Sequence, residues 1–205
     1  MLFAAVVPAH ATVTLDVGHV DGVWVTVANG NVNWTVGDHN GGGTTERDPA
    51  DVLLRAKPET ETVVGASPKP ACLGTPGNPV WILPQIQNEN LLWLGWNGES
   101  IGTGVLVNND ITLTINAASN VRPPSGSGGV LCVYKKVGLT TTKLFDSSAS
   151  FPQSTTFKSD STGHTHVNWA FTASGTWAVD FTVTATPVGG GSAQSVTKTL
   201  TFSVD

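Results

Sequence analysis

Apolar residues alternate with Thr, Asn and Ser through most of the chain, which is the two-residue period of half-buried strands. Val13 and Leu15 open the pattern. Val23, Val25 and Val27 continue it to Ala28-Asn29-Gly30-Asn31, and Val32, Trp34 and Val36 resume it beyond. Asn-Gly between two alternating runs predicts a two-residue hairpin. Val52 to Ala56 form a short strand stopped by Pro58. A dense apolar block runs from Val80-Trp81-Ile82-Leu83 to Leu91-Leu92-Trp93-Leu94-Gly95-Trp96. Further strands are predicted at Ile111 to Ile115, Val130 to Tyr134, Thr140 to Phe145, Val167 to Phe171, Trp177 to Ala185 and Val196 to Val204. In the last run Val196, Leu200, Phe202 and Val204 hold alternate positions, and Lys198 interrupts them. No window keeps a helical period. About ten short strands with turns roughly every ten residues predict an all-β fold, an antiparallel β-sandwich of immunoglobulin-like or jelly-roll-like type.

Between these runs, residues 40–50 and 57–79 read as loops, the second a long excursion rich in Pro, Gly, Thr and Lys. Residues 122–129, RPPSGSGG, form a loop or a sub-domain seam. The first residues, MLFAAVVPAHA, place a short apolar run before Ala9-His10-Ala11, a small-x-small cleavage pattern. Residues 1–11 therefore read as the remnant of a signal peptide, and 12–205 as a single β-sandwich domain. No segment reaches the ~18 apolar residues of a membrane helix, so the sequence is not expected to span a membrane. The expected location is extracellular, at the cell surface.

Composition narrows the partners. Charged residues make up 12% of the chain, and 10 Lys and Arg against 15 Asp and Glu give a net charge of −5. That balance excludes nucleic acid as the expected partner, because a phosphate backbone asks for a basic face. The two cysteines, Cys72 and Cys132, lie 60 positions apart, and in a secreted chain their expected state is a disulfide. The alternative is a pair of buried thiols. Of the 7 Trp residues most are expected to fill the core, with Trp93 buried inside its apolar block. Trp24 faces away from Val23 and Val25 and is the candidate for an exposed ring. A platform of exposed Trp would instead indicate a carbohydrate-binding module.

Four histidines follow residue 11: His19, His39, His164 and His166. On an extended segment His164 and His166 point to one face with Cα atoms about 6.6 Å apart, opposite Val167, Trp169 and Phe171. A strand His-x-His offers two ring nitrogens to zinc or another divalent transition metal. His39 is in phase with the polar side of its strand, and His19 with Asp21. The predicted metal site is therefore His164 and His166 with one or two of His39, His19 and Asp21. The alternative is that the imidazoles satisfy backbone groups or form a solvated edge. No H-E-x-x-H, G-x-S-x-G, P-loop or dinucleotide fingerprint occurs, so no enzymatic activity is expected.

Two long blocks carry a family resemblance: NPVWILPQIQNENLLWLGWN (Asn78 to Asn97) and GHTHVNWAFTASGTWAVDFTVTAT (Gly163 to Thr186). With VTLDVGHVDGVWV (Val13 to Val25) and DPADVLLRAKPET (Asp48 to Thr60), the chain resembles the actinobacterial surface-anchored protein family, or choice-of-anchor M domain, over about residues 12–205. The resemblance implies a secreted, wall- or membrane-anchored, non-enzymatic protein. It further implies a link to an ABC transporter of the metal-uptake type. The His-x-His pair that many members carry near the second strand falls here on Thr35 and Gly37, so that pair is not carried over. Two readings follow: a surface binding or accessory module for a transition metal, with metal ABC transporter components or cell-wall glycan as partners; or an adhesive or structural surface domain with no small ligand.

Overall fold

The predicted turn at Asn29-Gly30 closes a hairpin in which Ala28 pairs with Asn31. Both turn residues have positive φ, 52° and 74°, as a two-residue primed turn requires. The structure, a computed structural model, describes residues 13–66, 69–189 and 191–205, and the expected signal remnant at 1–11 lies outside them. The strands of the first half are β1 (Val13–Leu15), β2 (Gly18–Ala28), β3 (Asn31–Asp38), β4 (Thr45–Arg47), β5 (Val52–Ala56), β6 (Glu61–Val63), β7 (Pro79–Leu83), β8 (Leu92–Asn97) and β9 (Leu106–Ile115). The second half adds β10 (Val121–Arg122), β11 (Leu131–Val137), β12 (Thr140–Asp146), β13 (Gln153–Lys158), β14 (His164–His166), β15 (Asn168–Phe171), β16 (Gly175–Pro187) and β17 (Gln194–Val204).

These strands form three sheets packed into an all-β sandwich. The largest runs β1-β5-β17-β16-β9-β13, with β10 beside β16. The second runs β12-β11-β15-β7-β6, and the third β14-β8-β2-β3-β4. Most neighbours are antiparallel, but β1 with β5, β5 with β17 and β2 with β8 are parallel. Four strands fall where the alternation gave no signal, among them β6 (Glu61–Val63) inside the loop predicted over 57–79 and β10 (Val121–Arg122). Thr45–Arg47 lies inside the loop predicted over 40–50, and Gln153–Lys158 is Thr- and Ser-rich with only Phe157 buried.

One core cluster draws side chains from all three sheets. Trp34, Trp96, Trp169, Trp177, Phe145, Phe171, Phe181 and Phe202 are its largest fully buried members. Burying such a side chain contributes about 1.5–3 kcal/mol. Trp169 sits at the centre, edge-on to both Trp96 and Phe181, with its Nε1–H donated to the Leu94 carbonyl at 3.2 Å. Lys198, the exception in the last strand, extends its ammonium over the Trp34 ring, 5.9 Å from the centroid. A satellite cluster of Val64, Leu73, Val80, Tyr134 and Ala170 surrounds a disulfide between Cys72 and Cys132. The bridge ties the 57–79 excursion to β11.

A β-bulge sets the face on which chemistry collects. Val20 and Val23 both have no exposed surface, although three positions apart they would face opposite ways on a regular strand. The register against β3 and β8 shifts between Asp21 and Trp24, which absorbs the extra residue at Gly22. A Cβ there would lie 2.9 Å from Leu94 Cδ1, so glycine fits the bulge. His19, Asp21 and Trp24 thus share the outer face of the third sheet, while Val20, Val23 and Val25 enter the core.

Candidate metal centre

On that outer face β8 lies between β14 and β2. It contributes Trp93, Gly95 and Asn97, while Leu92, Leu94 and Trp96 point into the core. In the parallel pair with β2, His19 lies beside Trp93 and Asp21 beside Gly95. In the antiparallel pair with β14, His166 lies beside Gly95 and His164 beside Asn97. Ligand-type side chains therefore reach over a strand that has no side chain at its centre. The chain then leaves β14 at Val167 and enters the second sheet as β15, placing Val167, Trp169 and Phe171 in the core as predicted.

The imidazoles converge. Nε2 of His19, His164 and His166 form a triangle with sides of 3.1, 3.1 and 2.9 Å. Asp21 Oδ1 caps it at 3.0 Å from His164, 3.6 Å from His19 and 3.9 Å from His166. The point equidistant from these four atoms lies about 2.1 Å from each, and Zn–N and Zn–O bonds are ~2.0–2.2 Å. His19, Asp21, His164 and His166 thus form a group able to hold a metal ion.

The three Nε2 atoms lie within hydrogen-bonding distance of one another, with donor and acceptor roles set by each ring's tautomer. Asp21 Oδ1 is buried, and its nearest polar neighbour is His164 Nε2 at 3.0 Å. A cation at the common point would satisfy three lone pairs and one carboxylate oxygen at once.

The four groups differ in their protonation tendencies. Burial pushes the His166 imidazole down to about 3, which keeps it neutral with its lone pair free. Burial pushes the Asp21 carboxyl up, but hydrogen bonds and charge from His164 and His19 outweigh it, so the group stays ionised. The hydrogen bond to Asp21 raises the pKa of His164. His164 Nδ1 has Glu99 Oε2 at 3.7 Å, a carboxylate behind the ring.

His39, predicted as a possible ligand, stands one shell back. Its Nε2 faces Asp21 Oδ2 at 2.9 Å and its Nδ1 faces the Thr44 hydroxyl at 3.1 Å, so both nitrogens are engaged away from the triangle. Its ring stacks on His19, with centroids 4.2 Å apart and planes 13° from parallel. Asn97 Nδ2 donates to the same Asp21 Oδ2 at 3.2 Å.

Two aromatic expectations change. Trp93 is half-buried and forms a wall of the site, its ring stacked on His166 at 3.6 Å and its Nε1–H donated to the Gln85 carbonyl. Trp24 is not an exposed ring but lies over Gly37, where a Cβ would come within 2.9 Å of it, and beside His39. All seven Trp residues are buried or half-buried.

Gly95, Asn97 and Glu99 also belong to the site, although the sequence pattern does not single them out. The signal for the first two was their alternation with Trp93 inside the apolar block. Comparisons with protein-family models, with curated proteins and with solved structures give no match to this chain.

Proposed function

We propose that this protein is a secreted, surface-displayed, non-enzymatic module that binds one divalent transition-metal ion, zinc or a chemically similar ion. The observation that carries the reading is the convergence of three Nε2 atoms and one buried carboxylate oxygen on a single point. Three imidazoles with one carboxylate suit first-row transition ions, whereas calcium and magnesium prefer all-oxygen shells. The resemblance to the actinobacterial surface-anchored family supports a place beside a metal-uptake ABC transporter. In that setting the module captures or presents the ion rather than performing chemistry on it.

The competing reading is an adhesive or structural surface domain with no small ligand. Calorimetric titration of Zn²⁺ into the metal-free protein separates the two. The metal reading predicts saturable heat at one ion per chain, lost in the His164→Ala/His166→Ala double variant. Equal heats in both proteins, or none in either, leave the adhesive reading standing.

A further inference from the structure

The second oxygen of Asp21 carries information that the donor triangle does not. A carboxylate can bind an ion through one oxygen or through both, and the two-oxygen mode raises the coordination number. Here Oδ2 already accepts from His39 Nε2 at 2.9 Å and from Asn97 Nδ2 at 3.2 Å. Both donors are held from behind. His39 Nδ1 faces Thr44 Oγ1, and its ring lies between His19 and Trp24. Asn97 Oδ1 accepts the Glu99 backbone N–H at 2.7 Å, which turns its amide nitrogen toward Asp21.

Aromatic rings and backbone also pack against the ligand side chains. Trp93 covers one face of His166 and His39 covers one face of His19. Beneath them, backbone at Gly95 comes so close that a Cβ would lie 2.8 Å from His166 Nδ1.

Building on the metal-binding reading, we infer that His39 and Asn97 are positioning residues that set metal specificity. By occupying Asp21 Oδ2 they leave Oδ1 alone to the ion, so the site holds it four-coordinate. It therefore prefers Zn(II) over ions that seek six oxygen-rich ligands, Mn(II) first among them. Zinc has no geometric preference from its d-electrons and accepts a four-donor N₃O shell. Manganese in such a shell lacks two ligands and most of the oxygen it favours.

Cobalt(II) replaces zinc and reports coordination number by colour, with intense visible bands when four-coordinate and pale ones when six-coordinate. The test uses the full chain as wild type, His39→Ala, His39→Gln and Asn97→Ala, with folding checked by circular dichroism. The wild type is expected to give intense Co(II) bands that Zn(II) abolishes and excess Mn(II) leaves unchanged. His39→Ala and Asn97→Ala are expected to bind Co(II) with paler spectra and to lose about 10- to 100-fold of the Zn(II)-over-Mn(II) preference. His39→Gln, which keeps an N–H donor, restores the intense spectrum. Pale bands in the wild type, displacement by Mn(II) at parity with Zn(II), or wild-type spectra and selectivity in both alanine variants would overturn the inference while leaving metal binding intact. Failure of the wild type to bind either Co(II) or Zn(II) overturns the metal reading itself.

Discussion

Asp21 and His166 belong to strands that are not neighbours, yet both are registered on Gly95 of the strand between them. Their facing atoms, Oδ1 and Nε2, lie 3.9 Å apart across that residue. The absent side chain at Gly95 is what lets a carboxylate from β2 and an imidazole from β14 share one volume.

Replacing Gly95 tests that relationship. A Cβ at this position would lie 2.5 Å from the Thr165 carbonyl oxygen and 2.8 Å from His166 Nδ1. Backbone is the nearer obstacle, so β14 must shift. Gly95→Ala should lose about 1–3 kcal/mol of stability, by chemical denaturation. Its zinc affinity should fall well beyond a surface Gly→Ala control such as Gly41→Ala, where no atom lies within 4 Å of the new Cβ.

Zinc should stabilise the fold, because the ligands come from β2 and β14 and are brought together only when the sheet forms. At a free concentration 100 times the dissociation constant, linkage gives about 2.7 kcal/mol. For a chain of this size that is a rise in melting temperature of roughly 5–10 °C. Differential scanning calorimetry with and without zinc measures it, and chelation should reverse it.

The Cys72–Cys132 bridge closes a separation of 60 residues. The chain-entropy model assigns such a loop about 4 kcal/mol. The Cys72→Ser/Cys132→Ser variant should lose stability on that scale while keeping its zinc stoichiometry, because the bridge lies in the second sheet and the metal cluster in the third. Denaturant titration and zinc calorimetry on the same variant check both halves.

Asp180 should contribute to the acid sensitivity of the fold. Burial pushes its carboxyl up, but hydrogen bonds from Arg122, Thr199 and Asn120 hold it down at about 2. A pKa lowered by folding stabilises above the unfolded value of ~3.9, and the contribution fades as pH falls through about 2. Asp180→Asn should therefore melt below wild type at pH 7, with the gap closing between pH 4 and 2. Thermal melts across that range read the difference directly.

Much of the fold was legible because one rule, alternation, governs half-buried strands. It located Val32-Trp34-Val36, Ile111-Leu113-Ile115 and the core positions of β16 and β17. It failed at β13, whose exposed positions are Ser and Thr and whose pairing rests on β9 rather than on its own apolar face. It also gave no sign of the parallel pairs, since register between distant strands is tertiary information. At the site, the His-x-His pair and the shared phase of His19 and Asp21 were visible locally. Their convergence across Gly95 was not. The role of His39 was hidden too, because a ligand and a residue that orients a ligand carry the same letter and the same phase.

The metal-binding reading places one divalent ion among His19, Asp21, His164 and His166. Anomalous diffraction at the zinc absorption edge, from crystals grown with zinc, tests it most directly. The expected result is a single strong peak about 2.0–2.2 Å from Nε2 of His19, His164 and His166 and from Oδ1 of Asp21. A zinc-grown crystal with no peak there, or with its peak held by other residues, would contradict it.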